Sequence, residues 1–96
     1  MDFTLGRTAI QRSAMEKSTF TREYKIFCRE LKAARERTHV TQVDLAGRLK
    51  ETQSEISKFE RGERRLDIVQ LRRWCRALDI SLPDFVASLE DALGRR

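Results

Sequence analysis

Four residues of this chain, Gln53, Ser54, Ser57 and Lys58, put hydrogen-bonding side chains on one face of a short helical segment. A glutamine amide both donates and accepts, a hydroxyl serves in either sense, and an ammonium only donates. Such groups match the edges of stacked bases. Glutamine can pair with adenine through two bonds, the serines discriminate weakly, and Lys58 suits a guanine or a phosphate. Glu55, in the same turn, is either half of a helix cap or an acceptor for cytosine. Just beyond stand Arg61, Arg64 and Arg65, placed to clamp backbone phosphates. This chemistry grips and reads a polyanion; it does not make or break bonds. One histidine, His39, falls in an expected solvent-facing loop. With no paired inward carboxylates and no glycine-rich phosphate loop, there is nothing from which to build a reaction centre, and no enzyme activity is expected. Cys28 and Cys75 sit on apolar helix faces and are expected as buried reduced thiols, a disulfide being the alternative. There is no CxxC, so neither a metal site nor a cofactor is expected.

Two short helices must position these groups. Thr41-x-x-Asp44 and Thr52-x-x-Glu55 both have the form of a capping box, in which a hydroxyl accepts from a first-turn amide and the acid reaches back to the cap amide. Between them Leu45, Ala46 and Leu49 share a helical face, with Val43 nearby, and Ile56 and Phe59 continue that face after the second cap. Lys50, Glu51 and Thr52 are left as the turn. Ala46 is small enough to let the second helix cross closely. Glu60 is expected to pair with a nearby arginine or a loop amide, and Gly62 to terminate the second helix.

The pattern Thr41-Gln42, Leu45-Ala46, Leu49, then Gln53-Ser54-x-Ile56-Ser57-Lys58-x-Glu60-x-Gly62 resembles the helix-turn-helix of the lambda-repressor-like (Xre, Cro/CI) DNA-binding proteins. The resemblance runs from about Arg22 to about Glu90. It implies that the second helix enters the major groove and that Gln42 bridges a phosphate and Gln53. Two positions depart from the pattern. Lys50 stands where glycine is common, which implies a left-handed lysine at a cost on the order of 1 kcal/mol. Leu66 stands where proline is common.

The rest of the chain supplies the frame. A first helix is expected over Arg22–Arg37, with Tyr24, Phe27, Cys28, Leu31 and Ala34 inward and residues 22, 25, 29, 32 and 35 toward solvent. Asp67-x-x-Gln70 caps a fourth helix whose inner face is Ile68, Leu71, Trp74, Cys75 and Leu78. Pro83 falls in the first turn of a fifth, where its missing amide does no harm. Five helices without a strand pattern make an all-α bundle, residues 22–96, preceded by a polar arm over residues 1–21 in which Ser13-x-x-Glu16 could cap a short helix. Phe85, Leu89 and Leu93 give the fifth helix an apolar stripe, expected to form a dimer interface.

Charge favours the same partner. The net charge is +5, and residues 22–66 carry twelve basic and eight acidic side chains, whereas residues 67–96 balance at five and five. A basic excess around the reading helix suits duplex DNA. No apolar run approaches the length of a membrane span, and no secretory h-region is seen, so a cytoplasmic protein without membrane contact is expected. The expected function is sequence-specific binding of double-stranded DNA by a transcriptional regulator, a repressor acting as a homodimer on a palindromic operator, with polymerase as a possible protein partner. The alternative is a protein-interaction module, such as an antitoxin that binds a toxin, with DNA binding secondary.

Overall fold

Helix starts in this protein are set by side chains that accept from otherwise orphaned amides. The structure, a computed structural model, describes residues 21–94. The Thr21 hydroxyl accepts from the Tyr24 amide at 3.1 Å and opens α1, Arg22–Arg37. A complete Thr41–Asp44 capping box opens α2, Gln42–Leu49. The Thr52 hydroxyl accepts from the Glu55 amide at 3.1 Å to open α3, Gln53–Glu60. A second complete box, Asp67–Gln70, opens α4, Ile68–Ala77. Ser81 accepts from the Asp84 amide at 3.0 Å at the start of α5, Leu82–Gly94, with Pro83 in its first turn. These five helices and no strand occur among the described residues. The expected arm with its Ser13 cap lies, but for Thr21, outside them.

Helix ends are equally regular. After α1, α2, α3 and α4 the chain turns through a residue of positive φ: His39 at 60°, Lys50 at 59°, Gly62 at 81° and Asp79 at 60°. In each case the next amide reaches back five residues, as Val40 to Arg35 (3.2 Å), Glu51 to Ala46 (2.9 Å), Glu63 to Lys58 (2.9 Å) and Ile80 to Cys75 (2.9 Å). This is the Schellman motif, which satisfies orphan carbonyls of the last turn. Lys50 therefore adopts the left-handed conformation expected of it, and glycine holds that position only after α3.

The core gathers Leu31 and Ala34 of α1, Leu45, Ala46 and Leu49 of α2, Ile56 and Phe59 of α3, Leu71, Trp74 and Cys75 of α4, and Phe85 of α5. Phe59 and Trp74 meet edge to face with centroids 6.0 Å apart, as do Phe27 and Phe85. Arg48 donates to the Ala77 carbonyl at 2.7 Å and ties α2 to the end of α4, while Ser88 donates to Glu30 at 3.0 Å and ties α5 to α1. Cys28 and Cys75 are both buried and free, and burial pushes each thiol up, which suits inert core groups.

Four expectations are corrected. Phe85 is 2 % exposed and packs on Phe27, so it belongs to the protein's own core and cannot face another copy. Ile68 opens α4 ahead of the turn that faces inward and is 62 % exposed. On α1, Ile26 is buried while Tyr24 and Phe27 are only half-buried. Arg35 is buried rather than solvent-facing, because a partner inside the bundle compensates its charge.

Gly47 lies inside α2 on the exposed side, and a Cβ built there meets nothing within 4 Å. Helix-interior glycine sacrifices backbone entropy with no steric return here. Gly47→Ala is expected to stabilise the fold by about 0.5–1 kcal/mol, seen as a raised urea midpoint. A lowered midpoint would mean that the glycine serves a conformation other than this helix.

Candidate nucleic-acid interface

α2 and α3 form one helix-turn-helix unit: the left-handed Lys50 ends the first, and Thr52 starts the second two residues later. Ile56 and Phe59 anchor α3 inward, at 0 % and 6 % exposure. The opposite face is thereby presented outward. Gln53 and Ser54 are exposed in its first turn, and Ser57 and Lys58 are half-buried one turn later. The Ser57 hydroxyl accepts from the Arg61 guanidinium, which links the outer face of α3 to the following turn.

Beneath Gln53 runs a chain of polar contacts. The Gln53 Nε2 donates to Gln42 Oε1 at 2.6 Å, and Gln42 Nε2 donates to Glu60 Oε1 at 2.9 Å. Glu60 in turn receives Arg35 through both oxygens, Nε to Oε2 at 2.7 Å and an Nη to Oε1 at 3.0 Å. The remaining Arg35 Nη donates to the Val40 carbonyl at 3.0 Å. The Arg35 and Glu60 side chains are 9 % and 3 % exposed. The hydrogen bonds from Arg35 to Glu60, and their mutual charge, raise the Arg35 pKa against the opposing effect of burial. This ion pair binds the end of α3 to α1 and so fixes how the outer face of α3 projects. The contact between Gln42 and Gln53 that the family resemblance implies is present.

The three arginines of the turn are each engaged within the chain. Arg61 forms a two-bond pair with Glu63 at 2.9 and 3.1 Å, and this partner holds the Arg61 pKa up and the Glu63 carboxyl down. Arg64 lies 3.3 Å from Glu55, so that carboxylate faces an arginine and leaves the Thr52 cap to the hydroxyl alone. All four of these side chains are a quarter or more exposed to solvent, with Arg61 and Glu63 about half exposed. Exposed pairs of this kind are weak, so a phosphate can take the place of either acid. Arg65 differs. Its guanidinium lies over the Tyr24 ring at 4.3 Å, and the Tyr24 hydroxyl accepts from the Leu66 amide at 3.3 Å. Arg65 is thus turned toward α1 and the rim of an apolar groove rather than toward the face of α3.

That groove is bordered by Tyr24, Phe27, Leu66, Ile68, Leu89 and Leu93. Leu89 packs partly on the core, while Leu93 stands farther out along α5. The surface therefore divides into a polar α3 face and an apolar groove. No cluster of potential metal ligands occurs among the described residues, and no helix there is long and apolar enough to cross a membrane.

Arg35 is the buried charged residue that periodicity misassigned. A signal did exist, since Leu31, Ala34 and Arg35 occupy positions i, i+3 and i+4 of one inner stripe. A charge on such a stripe needs a buried counter-charge, and Glu60 supplies it.

Comparison with known proteins agrees with this arrangement. A family model described as helix-turn-helix, HTH_3, matches residues 31–85. Among solved structures, the chain is similar to an XRE-family like protein from Pseudomonas syringae pv. tomato str. DC3000, with a TM-score of 0.67 and 29 % sequence identity over 86 % of this chain and 96 % of that one. No curated protein matches.

Proposed function

Since this chain belongs to the XRE-type helix-turn-helix family of DNA-binding transcription regulators, we propose that it is a repressor that binds a palindromic operator as a homodimer. The observation that carries the proposal is the exposed first turn of α3, where Gln53 is held from behind by Gln42 and flanked by Ser54. The major groove is wide enough to admit this helix. Gln53 then pairs with adenine, Ser54, Ser57 and Lys58 meet neighbouring base edges, and Gln42 contacts the phosphate beside them. Arg61 and Arg64 exchange Glu63 and Glu55 for phosphates, and Arg65 leaves the Tyr24 ring to join them. Phosphate contacts of this kind set register, while base contacts choose sequence. Occupying a promoter in this way excludes polymerase, and such work on DNA belongs in the cytoplasm.

The apolar groove supports the dimer. Leu89 and Leu93 on α5, with exposed Val86 at 38 %, offer a surface that a second copy can cover. Two-fold pairing then presents two reading helices roughly 34 Å apart, one duplex turn. A polar α3 face also favours DNA over a toxin as its occupant, since a protein-binding helix would present apolar anchors there.

Selection from random duplex DNA tests the proposal. The expected product is an inverted repeat with half-sites about one helical turn apart. Recovery of no common sequence would overturn specific DNA binding. Leu93→Arg tests the dimer more cleanly than a change at Leu89, which also packs on the core. The variant is expected to sediment as a folded monomer, and a persisting dimer would move the interface elsewhere.

A further inference from the structure

We propose that Glu60, a buried residue that touches no DNA in the arrangement above, determines which base Gln53 reads by fixing the polarity of its amide. This rests on the base-reading role proposed for Gln53 and deepens it. An amide viewed from outside can be turned two ways, and the two ways read different bases. A carboxylate settles the choice because it can only accept. Both Glu60 oxygens are held by Arg35, and the side chain is 3 % exposed, so neither rotation nor water relaxes the constraint.

The consequence propagates outward one bond at a time. Gln42 must turn its NH2 toward Glu60, at 2.9 Å, and so must present its oxygen to α3. Gln53 must answer that oxygen with an N–H, at 2.6 Å. What Gln53 retains for a base is its own oxygen and its second N–H. One acceptor beside one donor is the complement of adenine, whose N6 donates and whose N7 accepts. With the chain reversed, Gln42 would donate to the Gln53 oxygen and leave both Gln53 N–H groups outward. Two donors complement the O6 and N7 acceptors of guanine. Glu60 is therefore a positioning residue for specificity, and Arg35 is its anchor.

The test uses the full chain in two variants. Gln42→Leu cuts the relay and leaves the ion pair whole. Arg35→Met/Glu60→Leu replaces the pair by apolar groups of similar size, a type of exchange that buried pairs tolerate. Wild-type protein is expected to prefer adenine over guanine at one position per half-site by about tenfold. In both variants that ratio should fall toward one, while the dependence of affinity on salt, which counts charges at phosphates, stays as in wild type. In the free protein, side-chain amide resonances of Gln42 and Gln53 should be shifted and slow to exchange, and the Gln53 signature should disappear in both variants. An unchanged adenine preference in the double variant would overturn the proposal, and so would Gln53 amide resonances indifferent to Gln42→Leu. Intact amide signatures with no base preference in wild type would overturn the reading role of Gln53 and uphold the relay, which separates the two failures. If the double variant does not fold, Gln42→Leu decides the matter alone.

Discussion

Glu60→Ala is expected to destabilise the fold by about 3–5 kcal/mol, because it leaves a buried guanidinium without its counter-charge. Arg35 is 9 % exposed at its side chain and directs two of its bonds at Glu60. After the substitution the Val40 carbonyl still accepts from that group, but no charge opposes it there. Water cannot enter freely, and the guanidinium cannot shed its proton at any ordinary pH. A domain of this size has a total stability of roughly 5–15 kcal/mol, so the loss consumes a large share of it. Urea unfolding should show a sharply lowered midpoint, and a shift equivalent to less than about 1 kcal/mol would mean that Arg35 finds another partner or escapes to solvent. The asymmetry is informative: removing both partners together should cost far less than removing one.

Affinity for duplex DNA is expected to fall on the order of 10³-fold between about 50 and 200 mM salt. Arg61, Arg64 and Arg65 supply three cations per protomer, and a dimer brings about six to the phosphates, for a log–log slope of about −5. A monomer would give about half that slope, so the same titration reports on assembly. The intramolecular pairs with Glu63 and Glu55 do not abolish this dependence, since exposed pairs are easily exchanged. A flat plot would eliminate the arginine turn as a phosphate clamp.

Much of the frame was legible in the amino-acid sequence. Caps are local chemistry, and Thr41, Thr52, Asp67 and Ser81 each accept from the amide three residues on. The helix starts follow from them, and the left-handed Lys50 followed from the family resemblance. Two of the errors have their physical origin in contacts distant along the chain. Arg35 and Glu60 are 25 residues apart, and helical periodicity cannot tell a buried arginine from a solvated one. Phe85 read as part of a stripe for another subunit, whereas Phe27 of α1 covers it. Ile68 read as core because its type outweighed its place at the very start of α4, where the helix has not yet turned inward. The polar outer face of α3 was legible in residue types, but the contacts that run from Glu60 through Gln42 to Gln53 required distances.

The left-handed joints bear on the speed of recognition. Glycine at position 50 would adopt this φ without steric cost; Lys50 at φ 59° bears a cost on the order of 1 kcal/mol and is held there by the Lys50 and Glu51 amides, which donate to the Gly47 and Ala46 carbonyls. Closed by these two bonds, the joint presents α2 and α3 to a partner as one unit. On the proposed docking, electrostatic steering toward the basic face, rather than a search through internal conformations, then sets the encounter rate.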